Sequence, residues 1–304
     1  MKSGFPYLVD LSITSFCPFG SGDNASVICK NCYQSSTTEG KPATRDNIIH
    51  IAKVLESINT LEIVLGGGEP TLWKDAYSDL SYLLGDIKRM NFKIGLTTRN
   101  YAWHKMKDFK SSIENLNTIA ISANTAQDVK DSKILTEKIN EVNKDVSIYI
   151  QTVLGAVSWE ENLKFINQIV TNYRKNYIVK GVTFLGYKDF GFGQKSKEQP
   201  FPENWVEIVK EKFKNTGISV GVDSIIVRKH QEQILKNGVK QHFLVGAEGK
   251  QTCYIDAVNM KIQPSSFTKE SYDFPTFKRL LYSFSNESDV IPYKKEFLKI
   301  WNQF

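Results

Sequence analysis

Three of the four cysteines, Cys17, Cys29 and Cys32, fall within 16 residues, with eleven residues between the first two and two between the last two. Three thiolates can hold three irons of a [4Fe–4S] cluster and leave the fourth iron open to a ligand that is not protein. Zinc is a competing reading, but it needs a fourth ligand. Cys253 or one of His50, His104, His230 and His242 would have to supply it, and none has a customary spacing. A third reading is reduced structural thiols. The loop between the first two cysteines holds Gly20, Ser21, Gly22, Asp23 and Asn24, a composition that can fold back and bring the sulfurs together.

A second group stands at Leu65-Gly-Gly-Gly-Glu-Pro-Thr-Leu72. Glycines after a buried strand let a ligand approach the backbone, because no Cβ intervenes. The Glu69 carboxylate and nearby carbonyls are acceptors suited to an ammonium group. Pro70 fixes the exit of the turn, and Trp73 can cover it. The Lys-Ser/Thr ending of a P-loop is missing.

The elements that must position these groups follow from hydrophobic periodicity. Strands are predicted at Tyr7–Ile13, Leu61–Leu65, Phe92–Thr97, Thr118–Ser122, Val146–Leu154, Val179–Leu185 and Ile218–Val222. Helices are predicted at Arg45–Ile58, Ala76–Met90, His104–Asn115, Val129–Asn143, Trp159–Arg174 and Pro202–Asn215. Such alternation points to βα units and a parallel sheet, here a partial or complete (β/α) barrel over residues 1–225. In barrels of this kind chemistry sits on the loops after the strands. The cysteine loop follows the first strand, the glycine run the second and Thr97-Thr98-Arg99-Asn100 the third. Past residue 225 the rhythm fades into a C-terminal extension, 226–304, with a β-hairpin near 246–266 and an aromatic helical stretch at 277–304.

Composition bounds the rest. The chain has 304 residues, 41% of them hydrophobic and 24% charged, which excludes a disordered or coiled-coil protein. No run approaches the length of a membrane span, and Met1–Asp10 has no apolar core of a signal peptide. Few, clustered cysteines without an export signal fit a reducing, cytoplasmic location. The net charge of +6 is mild and spread along the chain, so nucleic acid is not indicated.

Taken together, the cysteines and Gly67-Gly68-Glu69-Pro70 resemble the radical S-adenosylmethionine (AdoMet) superfamily over roughly residues 5–225. The resemblance implies a (β/α) barrel and cysteines that bind a [4Fe–4S] cluster, whose open iron chelates the methionine moiety of AdoMet. It also implies that Gly67, Gly68, Glu69 and Pro70 hold the methionine amino group. Asn31 and Tyr33, beside the last cysteine, fall where the family meets the adenine. Thr98 and Asn100, Ser122 and Asn124, and Gln151 fall where it places other AdoMet contacts. Three departures stand out: the first cysteine gap is expanded from the usual three residues, Asn31 stands where an aromatic or aliphatic residue is usual, and Arg99 interrupts a Thr-Asn-Gly-like stretch. The resemblance implies a flavodoxin- or ferredoxin-like electron donor and hydrogen abstraction from a substrate. A peptide is the first expectation, from a faint likeness of the C-terminal hairpin to peptide-modifying relatives; a nucleoside or nucleotide is the second. A non-catalytic zinc or iron–sulfur binding protein is the alternative from another class. Tyr187, Lys188 and Cys253 are expected on the substrate side, in a wall formed by the Pro18–Ile28 loop, the Tyr187–Gly193 loop and the hairpin.

Overall fold

The computed structural model describes residues 4–20, 29, 32–174, 177–239, 248–275 and 290–304. Ten strands form one sheet, in the order β10-β9-β8-β1-β2-β3-β4-β5-β6-β7. The eight parallel members are β1 (Leu8–Thr14), β2 (Glu62–Gly67), β3 (Lys93–Thr98), β4 (Thr118–Ser122), β5 (Ser147–Leu154), β6 (Val179–Gly186), β7 (Ser219–Val222) and β8 (Thr252–Asp256). Two antiparallel strands, β9 (Lys261–Gln263) and β10 (Tyr272–Asp273), extend the edge beyond β8. No ladder joins β7 to β8 among the described residues, so the sheet is not closed there, and β7 is a short, exposed strand. The hairpin expected near 246–266 is present as β8 and β9. Its first strand is more than an appendage, because it lies parallel to β1 and places Leu8 opposite Thr252.

Alternation along each strand divides the side chains between two faces. In β1, Val9, Leu11 and Ile13 are buried in the main hydrophobic cluster, while Asp10 stands open on the other face. The helices cover that cluster: α1 (Arg45–Ser57), α2 (Leu80–Lys88), α3 (Phe109–Ile113), α4 (Ala126–Val142), α5 (Trp159–Tyr173), α6 (Trp205–Phe213), α7 (Ser224–Lys236) and α8 (Ile291–Trp301). Several begin directly after a strand with a side-chain cap. Thr125 and Asp128 form a capping box at α4, and Asp223 caps α7 through the Ile226 amide at 3.0 Å. Two expected helices are shorter than their periodicity suggested. Asp75 accepts from the Tyr77 and Ser78 amides and holds a turn there, so α2 starts only where Asp79 caps it. The stretch expected as one helix over His104–Asn115 is divided into a 3-10 turn at Trp103–Lys105 and α3.

The strand faces away from the helices enclose two cavities. The lower one, about 210 Å³, lies among Gly95, Thr118, Tyr149 and Thr183. The upper one, about 380 Å³, opens at the strands' C-terminal ends, and Val64, Thr97 and Gln151 border both.

Candidate functional site

The cysteine segment is clamped before any ligand is considered. The Ser15 amide donates to Lys41 O at 2.9 Å and the Cys17 amide to Thr37 O at 2.8 Å. On its other side the segment is joined to the glycine run: Gly68 N–H donates to Thr14 O at 2.6 Å and Glu69 N–H to Phe16 O at 2.9 Å. These bonds explain two of the three glycines. Gly67 has φ +111°, and a Cβ there would overlap Thr14 O and the Ser12 hydroxyl. A Cβ at Gly68 would overlap the Phe16 carbonyl. Only at Gly66 would a Cβ meet open space. Of the three glycines expected to bare the backbone, Gly66 has open space beside it, whereas Gly67 and Gly68 admit the cysteine loop.

Glu69 is 1% exposed but borders the cavity. Its Oε1 accepts from the Thr71 amide (3.1 Å), the Thr71 hydroxyl (2.7 Å) and the Thr98 hydroxyl (2.7 Å), and its Oε2 accepts from the Arg99 amide (2.9 Å). Burial raises its pKa above the usual carboxylate range, and these hydrogen bonds oppose that rise. Glu69 thus ties β2's exit to β3's exit. Pro70 lies behind it in the buried 3-10 turn Pro70–Leu72. Asn100 stands in the same layer and donates to the Thr71 hydroxyl at 3.0 Å.

Arg99, noted in the sequence only as a departure, joins the loops. Its guanidinium donates to Cys29 Sγ at 2.8 Å and to Asp128 Oδ1 at 3.2 Å. Asp128 in turn accepts from the Asn124 and Thr125 amides at 2.9 and 3.0 Å. One network therefore runs from a cysteine to the start of α4. Asn124 is buried and its Oδ1 accepts from the Val153 amide at 2.9 Å, which holds the ends of β4 and β5 together. Ser122 and Gln151 border the cavity with side chains to which no described protein group bonds.

Cys17, Cys29 and Cys32 all border this cavity. Burial pushes the Cys17 thiol up to about 12 and raises that of Cys32. Thiolates there require a compensating positive charge, such as iron, and binding would release their protons. No trio of His, Cys, Asp and Glu closes on a single metal ion among the described residues. Three thiolates are the donor set that a [4Fe–4S] cluster takes when one iron is left open, so the residues present fit that group. Asn31 lies outside the described residues, as does 21–28 of the intervening loop. Tyr33 borders the cavity with its ring beneath the Lys188 ammonium, 4.1 Å from ring centroid to Nζ.

The opposite wall comes from β1, β6, β7 and β8. Tyr187 is 4% exposed and its hydroxyl donates to Gly193 O, closing its own loop. That loop supports the cysteine segment, since Phe192 N–H donates to Cys32 O at 3.0 Å. Cys253 borders the cavity but is 2% exposed and packed in the hydrophobic cluster. The β1–β8 register sets it opposite Val9, and burial raises its thiol pKa. Lys188 is the expected substrate-side residue whose charge reaches the cavity. Sequence reading missed Asp10, Tyr254, Asp223 and Glu248, all of which border it. One signal was available: Asp10 is a lone carboxylate inside the strand LVDLSIT.

Comparison with known proteins agrees with this geometry. Residues 11–159 match the family model described as the Radical SAM superfamily. No curated protein matches the sequence. Among solved structures, a HydG described as a maturase of the [FeFe]-hydrogenase superposes with a TM-score of 0.51 at 8% identity, covering 76% of this chain and 54% of that one. Native anSMEcpe with bound AdoMet gives 0.54 at 14% identity, covering 97% and 84%. HydG from Carboxydothermus hydrogenoformans gives 0.55 at 10%, covering 96% and 66%. The chain spans about half the length of the first of these, and at such identities the likeness is one of fold.

Proposed function

On the premise of a radical SAM domain over residues 11–159, we propose that this chain is an enzyme that cleaves AdoMet reductively and acts on a peptide. The cofactors of the superfamily are a [4Fe–4S] cluster and AdoMet. The observation that carries the reading is the single cavity bordered by all three clustered cysteines, by the Gly66–Glu69 turn and by the ends of β3, β4 and β5.

When bound, the cluster and AdoMet together supply one-electron cleavage to methionine and a 5′-deoxyadenosyl radical, which takes a hydrogen atom from the substrate. The chain's own part is to bind and orient. Cys17, Cys29 and Cys32 would ligate iron. Arg99 places a fixed positive charge against Cys29. Glu69 holds the turn that offers acceptors to an ammonium, and Ser122 and Gln151 have polar groups left for a ligand. The β6 loop and the Pro264–Phe267 segment wall the far side and limit water at the reacting carbon. A peptide suits a cavity that opens at the barrel mouth, where one side chain can enter while its backbone stays outside. The electron donor would be a flavodoxin- or ferredoxin-like protein.

Anaerobic reconstitution with iron and sulfide, followed by reduction in the presence of AdoMet, tests the proposal. Equal yields of methionine and 5′-deoxyadenosine are expected. Protein that takes up zinc without sulfide, and leaves AdoMet intact, would overturn it.

A further inference from the structure

Asp10 is exposed in β1, and what it is exposed to is the upper cavity, which its carboxylate borders. It accepts no hydrogen bond and forms no ion pair with any described residue. The other carboxylates of this wall are engaged. Asp223 accepts from the Gly186 and Ile226 amides, both at 3.0 Å. Glu248 accepts from the Ser224 hydroxyl at 2.6 Å and from Arg228 at 3.2 Å. Lys188 does not pair with Asp10 either: its ammonium lies over the Tyr33 ring, and over the Phe267 ring at 4.8 Å from the centroid. A carboxylate that lines a cavity without a partner gains a charge-assisted hydrogen bond when a cationic ligand arrives.

We propose that Asp10 is the floor of a substrate subsite for a primary ammonium group, as a lysine side chain would present, on the wall opposite the glycine run. The inference rests on the cavity being the radical SAM active site and adds the substrate's chemistry. The aromatic rings that hold Lys188 at the mouth suit the alkyl stem of such a chain, and Asp10, one layer below Ser12, meets its end. Burial pushes Asp10 up to about 6; Lys188 lowers it, while Glu248 and Glu62 raise it. Tyr254 stands opposite it on β8, and Cys253 beside Tyr254 feels its charge. Ammonium binding therefore weakens as pH falls through about 6, where the acceptor takes a proton instead.

The test uses anaerobic holoprotein loaded with AdoMet and two probes that differ by one charge, N-acetyl-lysine methylamide and N-acetyl-norleucine methylamide. By calorimetry the lysine probe should bind about tenfold or more tighter at about pH 7.5. That preference should shrink below about pH 6 and vanish in Asp10→Asn and Asp10→Ser, with iron, sulfide and AdoMet affinity unchanged. Equal binding of the probes by the wild type, or a preference that survives both substitutions, overturns the subsite. Protein that binds AdoMet yet shows no preference loses this inference alone; protein that fails to bind AdoMet loses the active-site reading with it.

Discussion

Two carboxylates that border the cavity, Glu69 and Asp10, are held in opposite ways. On the β2–β5 side Glu69 carries four hydrogen bonds, and Arg99 beside it spans from Cys29 to Asp128. On the β1, β6 and β8 side Asp10 carries none, and Lys188 rests on aromatic rings. A saturated network is rigid and holds one geometry. Groups left without partners are destabilising until a ligand arrives. On the proposed reading, the saturated group steadies the cofactor side and the unpartnered one is left for the substrate.

The largest expected effect breaks the first wall outright. Alanine at Cys17, Cys29 or Cys32 should abolish the cluster's visible absorption and AdoMet cleavage. Cys253→Ala should keep both and lose only about 1–2 kcal/mol of packing by urea unfolding. Iron loss in Cys253→Ala equal to that in Cys17→Ala would remove the distinction between the walls.

Glycine substitutions sharpen it further. Gly68→Ala forces backbone against the Phe16 carbonyl, which no side-chain rotation relieves. It should destabilise the fold by about 3 kcal/mol and impair cluster reconstitution. Gly66→Ala points into open space, so it should fold normally and weaken AdoMet binding in equilibrium dialysis. Similar unfolding midpoints for the two variants would contradict the division of roles.

Glu69→Gln swaps an acceptor for a donor amid four donating groups. A loss of about 1.5–3 kcal/mol in stability is expected, together with about ten- to a hundredfold weaker AdoMet binding. Unchanged melting with weaker binding would mean that Glu69 serves the ligand alone.

The smallest effect has the opposite sign. Burial raises Asp10 from 3.8 to about 6, so its folded form favours the proton more than the unfolded chain does. Its ionisation penalty is absent below about pH 4, grows between there and about 6, and is constant above. A rise of this size corresponds to about 3 kcal/mol, which water in the cavity would reduce to about 1. Asp10→Asn should thus raise the melting temperature at neutral pH and leave it unchanged at about pH 4. A lower melting temperature at neutral pH would show that Asp10 is not strained in the folded chain.

The sequence made the first wall readable because backbone chemistry there demands particular residues. Three sulfurs, a positive-φ glycine and a carboxylate fully enclosed by donors tolerate few substitutes, so they surface as a motif. The strands from β1 to β7 were readable for a similar reason: Val9, Leu11 and Ile13 and their equivalents must face the helices. The second wall was harder to read. Asp10 has meaning only once β8 lies beside β1, and pairing with Thr252–Asp256 leaves no mark in either segment's local pattern. Cys253 was expected on the substrate side, and its register sets it opposite Val9. Arg99 was visible as an irregularity, while its partners Cys29 and Asp128 come from distant loops.

The neighbours of β1 also set an order of events for a chain emerging from the ribosome. Leu8 pairs with Glu62 on one side and with Thr252 on the other. The first ladder can close once residues 62–67 have been made, and the second must wait for residues 252–256. Local contacts form before distant ones because closing a long loop is slower. The cysteines, the glycine turn and Arg99 can therefore be in register while Asp10 still has no wall beside it.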